Sequence, residues 1–266
     1  MLLAQSLFDT TAYDHKSLFS DTEPVWSALN NLKDYMNGYR YQAEIISPIA
    51  NGIPLENHVV LFNNNLISAK ECEISYGDTG KGNLVISQNG SVLDGASLIM
   101  AGTILIGTKI SIGRASLIEG GSTIKEPVII GNCTEIRQGA YMRGYCLIGD
   151  RCVVGHTTEV KHSIFLDDAK AGHFAYLGDS ILGNNANLGA GTKFANLKFI
   201  PGNVSLLIEG KLTDTGMRKF GAILGDNAQT GCNSVTSPGT ILGKKGVIMP
   251  NATAPSGYHQ DRKRVR

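Results

Sequence analysis

The chain has 266 residues, of which 42% are hydrophobic and 18% are charged, and its formal net charge is +1. This length and composition exclude a disordered or fibrous chain and allow one elongated domain with a substantial core and an appendage. The near-zero charge excludes a global attraction to nucleic acid or to an acidic membrane surface, although residues 261–266 are locally basic.

The N-terminal region, residues 1–80, is predicted to be a small α+β cap. Its first residues lack the charged, apolar and cleavage regions of a secretory signal, so a cytoplasmic location is the default expectation. Apolar residues at helical spacing around Trp26 predict one amphipathic helix within residues 17–40. Short apolar runs between Asn-rich turns in residues 42–76 predict a few strands. We expect the helix to cover the first coil of the following domain or to dock a partner.

The middle of the chain, residues 81–256, places an apolar residue at every sixth position, a period that neither an α-helix nor an alternating strand produces. Glycine commonly follows this residue, and a small residue stands at the fourth position after it. This hexapeptide signature predicts an all-β, single-stranded parallel β-helix in which residues three hexads apart stack at about 4.8 Å. The strictest run is Ile106, Ile112, Ile118, Ile124, Ile130, Ile136, Met142, Ile148, Val154 and Val160.

The repeat is interrupted in places. It begins near Val85, shifts phase near Ile106 and loses one residue near Phe165. Residues 199–217 break the pattern and are predicted to form a projecting arm, which we expect to reach a neighbouring subunit because an apolar run such as residues 204–208 seldom stays exposed. Hexads resume at Leu224. Residues 250–258 are expected to close the solenoid, and residues 257–266 to form a basic C-terminal tail.

Counting hexads across the slip predicts which polar residues stack. His173 should lie over His156, Tyr176 over Glu159, Asp179 over His162, and Asn196 over Asp179. Ionisable groups would then converge on one groove, where neighbouring charges tune their pKa values. A histidine there can remove a proton from a reacting amine near neutral pH. The alternative to a functional site is that these stacked polar residues only form the solvent-exposed surface of the solenoid.

The five cysteines show no CxxC pairing, so the sequence predicts neither a zinc site nor a disulfide framework. Cys146 and Cys152 occupy the small, inward-facing positions of successive hexads. We therefore expect core packing for both, and we predict no metal cofactor.

Residues 154–196 contain the runs EVK, KAGHFAYLGD and NLGAGT. This segment resembles the acetyltransferase domain of the bifunctional N-acetylglucosamine-1-phosphate uridyltransferase/glucosamine-1-phosphate acetyltransferase family. The resemblance implies a left-handed β-helix, a homotrimer, and acetyl-CoA bound between subunits. The left hand opposes the usual right-handed crossover and rests on the resemblance alone.

The resemblance also implies roles for single residues. His173 matches the general base, and Glu159 and Tyr176 match its supporting and sugar-binding groups. Five residues match substrate-binding positions: Arg137, Lys161, Asn187, Asn196 and Lys219. Arg137 and Lys161 match the cations that bind the sugar phosphate, and Lys219 lies within the run RKFGAILGDN. Residues in segments expected to meet acetyl-CoA are Ala190 and Cys232.

Several features depart from the family pattern. No glycine-rich loop of the nucleotidyltransferase type occurs in residues 1–80, so we expect no synthesis of a sugar nucleotide by this chain alone. Residues 196–199 replace the family's asparagine, tyrosine, aspartate and glycine run. One extra hexad separates Arg137 from Glu159, which rotates Arg137 by one face. Cys232 stands where the family has a small hydroxyl residue.

Three functions follow for comparison. The leading hypothesis is an acetyl-CoA-dependent N-acetyltransferase acting on an amino-sugar phosphate, related to the biosynthesis of UDP-N-acetylglucosamine. The second is a non-catalytic scaffold for oligomerisation or sugar-nucleotide binding. The third is a γ-type zinc carbonic anhydrase, which the spacing of the six histidines disfavours.

Overall fold

The computed structural model describes residues 1–208 and 210–266; residue 209, within the expected arm, lies outside the described residues. The α-helices precede the strands and are α1 (Ala4–Leu7), α2 (Ser27–Gly38) and α3 (Ala43–Ile46). Single turns of 3-10 helix are Lys16–Leu18, Ser47–Ile49, Ala69–Glu71 and Thr79–Lys81.

Short strands make up most of the regular secondary structure. Those before the solenoid are β1 (Val59–Phe62), β2 (Asn65–Ser68), β3 (Glu73–Ser75), β4 (Val85–Gln88) and β5 (Ser91–Val92). Those of the first coils are β6 (Ser97–Ile99), β7 (Ile104–Ile106), β8 (Ile110–Ile112), β9 (Leu117–Ile118), β10 (Thr123–Lys125), β11 (Val128–Ile130), β12 (Glu135–Ile136), β13 (Tyr141–Met142) and β14 (Cys146–Ile148). Those of the central coils are β15 (Val153–His156), β16 (Glu159–Phe165), β17 (Lys170–His173), β18 (Tyr176–Leu182), β19 (Asn187–Leu188) and β20 (Lys193–Phe194). The arm and the last coils contain β21 (Ser205–Ile208), β22 (Lys211–Asp214), β23 (Ala222–Leu224), β24 (Gln229–Thr230), β25 (Val235–Thr236), β26 (Thr240–Leu242), β27 (Val247–Ile248), β28 (Thr253–Ala254), β29 (Gly257–His259) and β30 (Arg264–Val265).

These strands form a left-handed β-helix of about nine turns, which confirms the fold class. Face 1 carries the parallel ladder β6-β9-β12-β15-β17-β19-β24-β27-β30. Face 2 carries β7, β10, β13, β20, β25 and β28, and face 3 carries β8, β11, β14, β23, β26 and β29. The long strands β16 and β18 run from face 2 into face 3 and join the two ladders.

The solenoid interior holds the hexad residues. Ile118, Ile136, Val154 and Ala171 stack along face 1, each fully buried. At its start the predicted phase is wrong for Ile106, which is 36% exposed, whereas Leu105 is fully buried and pairs with Ile124. A one-residue shift in register moves a side chain to the other side of a strand, so the neighbour of the predicted residue faces the core.

The two ends of the solenoid differ from the prediction. Residues 85–92 form no coil: β4 pairs antiparallel with β5 across the turn Asn89–Gly90, where both residues have positive φ. An Asn-Gly pair favours this type of hairpin. The C-terminal residues form no loose tail, because β29 and β30 extend the ladders and Val265 is buried under Ile248. The step from residue 248 to residue 265 is one residue short of three hexads, so the six-residue period did not predict this last coil.

Helix α2 does not lie over the first coil. It packs along face 3, against β16 and β18, and Trp26 contacts the ring of Phe220 at a centroid distance of 6.4 Å. The outward side chains of face 3 are apolar and buried beneath the N-terminal segment and the arm; they include Ile129, Leu147, Ile164, Ile181, Ile223 and Ile241. The first coil is instead flanked by the hairpin of β1 and β2, since Val60 pairs with Leu98.

The arm is an antiparallel hairpin of β21 and β22. Val204 and Leu206 are buried against the outward side chains of face 3, whereas Leu207 and Leu212 are 58% and 69% exposed. The apolar run was expected to be covered by a neighbouring subunit. Part of it is instead buried against the protein's own solenoid. Among the helices of residues 1–208 and 210–266, none has the length and apolar character needed to cross a bilayer.

Candidate active site

His173 stands at the end of β17, at the edge between face 1 and face 2. Its side chain is exposed, and the register of β15 with β17 places it over His156. The His156 ring is held by a 2.9 Å contact of Nδ1 with the Gln138 carbonyl and by an edge-to-face contact with Phe174. Both histidines thus occupy one edge, as the hexad count predicted, and only His173 presents an exposed ring.

A cleft of about 520 Å³ opens in front of this edge on face 1. Of the predicted site residues, Arg137, His173 and Asn187 line it, together with the unpredicted Lys170. Asp78 and Gly80, at the start of a 3-10 turn, also line it. Arg137 is paired with Glu135 at 2.7 Å, so part of its charge is neutralised within the protein. The cleft therefore combines an imidazole with cationic and amide groups.

A second group of polar side chains, called the groove below, lies along face 2, one corner away from His173. Glu159 and Tyr176 are adjacent in the ladder of β16 and β18, as predicted. Arg143, which the sequence reasoning missed, follows β13 and places Nη1 2.6 Å from Glu159 Oε1. The ladder sets Tyr141 beside Glu159, and therefore Arg143 beside Lys161. Counting three hexads back from Lys161 would have found Arg143; the match of residues 136–140 to a family motif selected Arg137 instead.

Tyr176 has its hydroxyl close to the amide of Asn196. A Cβ on Gly178 would lie 2.5 Å from Asn196 Nδ2 and 2.7 Å from Tyr176 Oη, so this glycine lets the two groups meet. Burial raises the pKa of Tyr176, and the nearby Glu159 and Asp179 carboxylates raise it further. The hydroxyl therefore stays protonated at neutral pH and can donate a hydrogen bond.

Asp179 lies below this pair and is 5% exposed. Its Oδ1 is 2.9 Å from His162 Nδ1, and its Oδ2 accepts a 2.6 Å hydrogen bond from Asn196 Nδ2. Lys161 Nζ is 3.8 Å from the same Oδ2. The predicted stacking of Asp179 on His162 and of Asn196 on Asp179 is confirmed, and it joins two candidate binding residues to one buried carboxylate.

The remaining predicted residues lie on the C-terminal side of His173. Ladder register places Ala190 over His173, and Cys232 over Ala190, where the Asn233 N–H donates to the Ala190 carbonyl at 2.8 Å. Ala190 is half-buried and Cys232 is exposed. Lys219 is exposed at the base of the arm and bridges with Leu197, next to Asn196. Cys146 and Cys152 are fully buried in the core, where burial raises the pKa of the Cys146 thiol to about 12.

The predicted residues thus fall into two sets. His173, Arg137, Asn187, Ala190 and Cys232 follow face 1 and its edge, whereas Glu159, Lys161, Tyr176, Asn196 and Lys219 lie around the corner formed by residues 174–175. An imidazole can accept a proton, and the cations and the phenol can bind an oxyanion. Across residues 1–208 and 210–266, no three His, Cys, Asp or Glu side chains meet in a way that could hold a metal ion.

Comparison with known proteins finds sequence similarity over this region. The model of the GMPPB C-terminal domain matches residues 124–254. The bifunctional sugar-1-phosphate nucleotidylyltransferase/acetyltransferase of Sulfurisphaera tokodaii is 38% identical over 92 residues, which are 35% of this chain and 23% of the relative. The bifunctional protein GlmU of Methanococcus maripaludis is 40% identical over 101 residues, 38% of this chain and 24% of the relative.

A longer match is the bifunctional protein GlmU of Prochlorococcus marinus, which is 30% identical over 148 residues, 56% of this chain and 24% of the relative. The matched part of the chain spans about a quarter of the length of each of these relatives. The matches confirm the resemblance seen in the sequence motifs. The β-helix of this chain is similar to GlmU-type, acetyltransferase-like domains.

Proposed function

We propose that this domain is an acetyl-CoA-dependent N-acetyltransferase whose acceptor is an amino-sugar phosphate of the glucosamine 1-phosphate type. The observation that carries the proposal is the exposed His173 imidazole at an edge that the polar groove of Glu159, Lys161 and Tyr176 borders. The names of the relatives, which combine nucleotidylyltransferase and acetyltransferase, support the reaction class.

In the proposed reaction, His173 accepts a proton from the acceptor amine while the amine nitrogen attacks the thioester carbonyl of acetyl-CoA. The C–N bond forms, the C–S bond breaks, and the thiolate of coenzyme A leaves. General-base assistance of this kind contributes roughly 10²- to 10⁴-fold to a rate. The small side chains of Ala190 and Cys232, next to His173 on the same edge, leave room for the acyl carrier there.

The sugar phosphate would bind to cations and polar groups around the corner. Lys161 and Tyr176 offer an ammonium and a protonated hydroxyl, and Arg143 adds a guanidinium that Glu159 holds in place. Arg137, Asn187 and Lys219 remain candidates for the same ligand at the edges of the site. Oxyanions favour such clusters of charged donors.

The division of these residues between two faces supports a site built from two subunits. A single small acceptor would reach both sets most simply if face 1 of one protomer met face 2 of the next, as in the homotrimer that the resemblance implies. We therefore propose that His173 of one protomer acts with Asn196 and Lys161 of its neighbour.

The first test is release of free thiol from acetyl-CoA in the presence of glucosamine 1-phosphate. The wild-type protein should release thiol, and His173→Ala should lower turnover by roughly 10²- to 10⁴-fold. His156→Ala is the matched control, because it removes an imidazole at the equivalent position of the preceding coil. Absence of thiol release from the wild-type protein with several amino sugars would favour the scaffold.

The second test mixes two inactive variants, His173→Ala and Asn196→Ala, after dissociation and reassembly. If the site spans two subunits, mixed trimers contain some intact sites, and roughly a quarter of the activity returns for random mixing of a cyclic assembly. If all groups act within one chain, mixing restores nothing. Sedimentation of each variant checks that the assembly is unchanged.

A further inference from the structure

Asp179 is a nearly buried carboxylate that the proposed reaction does not use. Among residues 1–208 and 210–266, no main-chain N–H donates a hydrogen bond to its side chain; its partners are the side chains of His162, Asn196 and Lys161. A buried carboxylate costs free energy unless hydrogen bonds and opposite charges compensate it. Here all of that compensation comes from side chains, two of which border the groove.

The Asp179 carboxylate fixes the orientation of the Asn196 side-chain amide. Asn196 Nδ2 donates to Asp179 Oδ2 at 2.6 Å, and the same nitrogen lies beside the Tyr176 hydroxyl. Because Nδ2 donates to Asp179, the Oδ1 atom of the Asn196 amide is the one that can accept a hydrogen bond from a hydroxyl of the acceptor. An amide facing a neutral partner could rotate by 180° and offer either atom.

The same carboxylate limits the freedom of Lys161. The Nζ–Oδ2 distance of 3.8 Å and a side-chain exposure of 29% keep the ammonium near the groove. His162 supports the carboxylate from the other side: its Nε2 is buried and has no hydrogen-bond partner in the described part of the chain, so the ring hydrogen belongs on Nδ1, facing Asp179 Oδ1. The carboxylate is therefore fixed on one oxygen and orients groove residues with the other.

A second buried aspartate of the solenoid provides a contrast. Asp226 is 7% exposed, like Asp179, but its oxygens accept hydrogen bonds from the main-chain N–H groups of Asp9 and Asn184. It joins the N-terminal segment to the coils and touches no residue of the groove. Asp226 is a structural aspartate, and it serves as the matched control.

We propose that Asp179 is a positioning residue, whose carboxylate holds the Asn196 amide and the Lys161 ammonium in the orientation that binds the acceptor. This inference rests on the proposed function, in which Asn196 and Lys161 contact the acceptor. Asp179 itself touches neither the acceptor nor the acyl donor.

The test compares Asp179→Asn with Asp226→Asn. Asp179→Asn should raise KM for glucosamine 1-phosphate by about 10- to 100-fold, the scale on which misplaced binding groups act, and leave KM for acetyl-CoA unchanged. Asp226→Asn should lower stability and leave both KM values near wild type. Because part of the effect of Asp179 passes through Asn196, the double variant Asp179→Asn/Asn196→Ala should lose less binding than the two single losses added together.

Calorimetric titration with glucosamine 1-phosphate separates this inference from the proposed function. Turnover with an unchanged KM in Asp179→Asn, or additive effects with Asn196→Ala, overturns the inference and leaves the function standing. Binding that weakens in Asp179→Asn without any turnover by the wild type overturns the reaction and supports the inference. Neither binding nor turnover by the wild type overturns both. If Asp179→Asn does not fold, Asp179→Glu, which keeps the charge but displaces it, takes its place.

Discussion

Two outward-facing regions of the same solenoid carry opposite chemistry. On face 3, outward side chains such as Leu147 and Ile164 are apolar and fully buried under α2 and the arm. Around the edge between faces 1 and 2, the outward residues are polar, and His173 is exposed. The backbone repeat is the same in both regions. The difference shows that the inward hexad positions determine the fold, whereas the outward positions decide what covers each face and where chemistry takes place.

The largest effect on stability is expected at the covered face. Trp26→Ala should lower the free energy of unfolding by about 3–5 kcal/mol, because a buried aromatic side chain that contacts Phe220 is lost. Urea unfolding measures this change. Phe199→Ala, at a fully exposed aromatic residue, is the control and should change stability by less than about 0.5 kcal/mol. Equal losses in the two variants would contradict the view of face 3 as a covered surface.

A smaller loss of stability with a larger effect on binding is expected in the groove. Gly178→Ala should displace the Asn196 amide and the Tyr176 hydroxyl, since the new Cβ would come within 2.7 Å of both. We expect about 1–3 kcal/mol of destabilisation and a fall of roughly 10²-fold in kcat/KM for the acceptor. Gly172→Ala, whose Cβ would meet nothing within 4 Å, should leave stability unchanged. A Gly178→Ala protein with wild-type kcat/KM would show that the acceptor does not use this groove.

The smallest effect concerns the pH dependence of the N-terminal segment. Burial lowers the pKa of His15, whose Nδ1 is 2.7 Å from Tyr35 Oη. The folded state therefore binds fewer protons at this site than the unfolded state. The resulting stability is present above the ordinary histidine pKa of about 6.5 and is lost as pH falls through the lowered pKa of the folded state.

His15→Gln should remove this dependence. When the pH is lowered from about 7.5 to about 5, the wild type should lose more stability than the variant, as measured by thermal unfolding. The difference between the two proteins should be smaller than the effects of Trp26→Ala and Gly178→Ala. The Asp21→Asn protein, altered at an exposed carboxyl that does not contribute to the pKa shift of His15, is the control and should follow the wild type. Parallel curves for His15→Gln and the wild type would contradict the burial of this ring.

Much of the candidate site could be predicted from the sequence because stacking in a β-helix depends only on the number of residues between two positions. Once the loss of one residue near Phe165 is recognised, the distance along the chain fixes which side chains lie above one another. The pairs His156–His173 and Glu159–Tyr176 follow from this count and are found in the ladders. Arg143 was missed because the comparison with a family motif, not the stacking count, selected the arginine.

The sequence by itself determined the coil, its core and the columns of stacked polar residues, since these depend on a repeat of six along the chain. Only the tertiary structure decided where α2 and the arm pack, that the last ten residues complete a coil, and that the candidate residues divide around a corner. These features depend on contacts between segments far apart in sequence, such as Trp26 with Phe220, and on single-residue changes of register at Leu105 and Val265. A local period cannot encode either, because burial of an outward side chain depends on a distant segment that covers it.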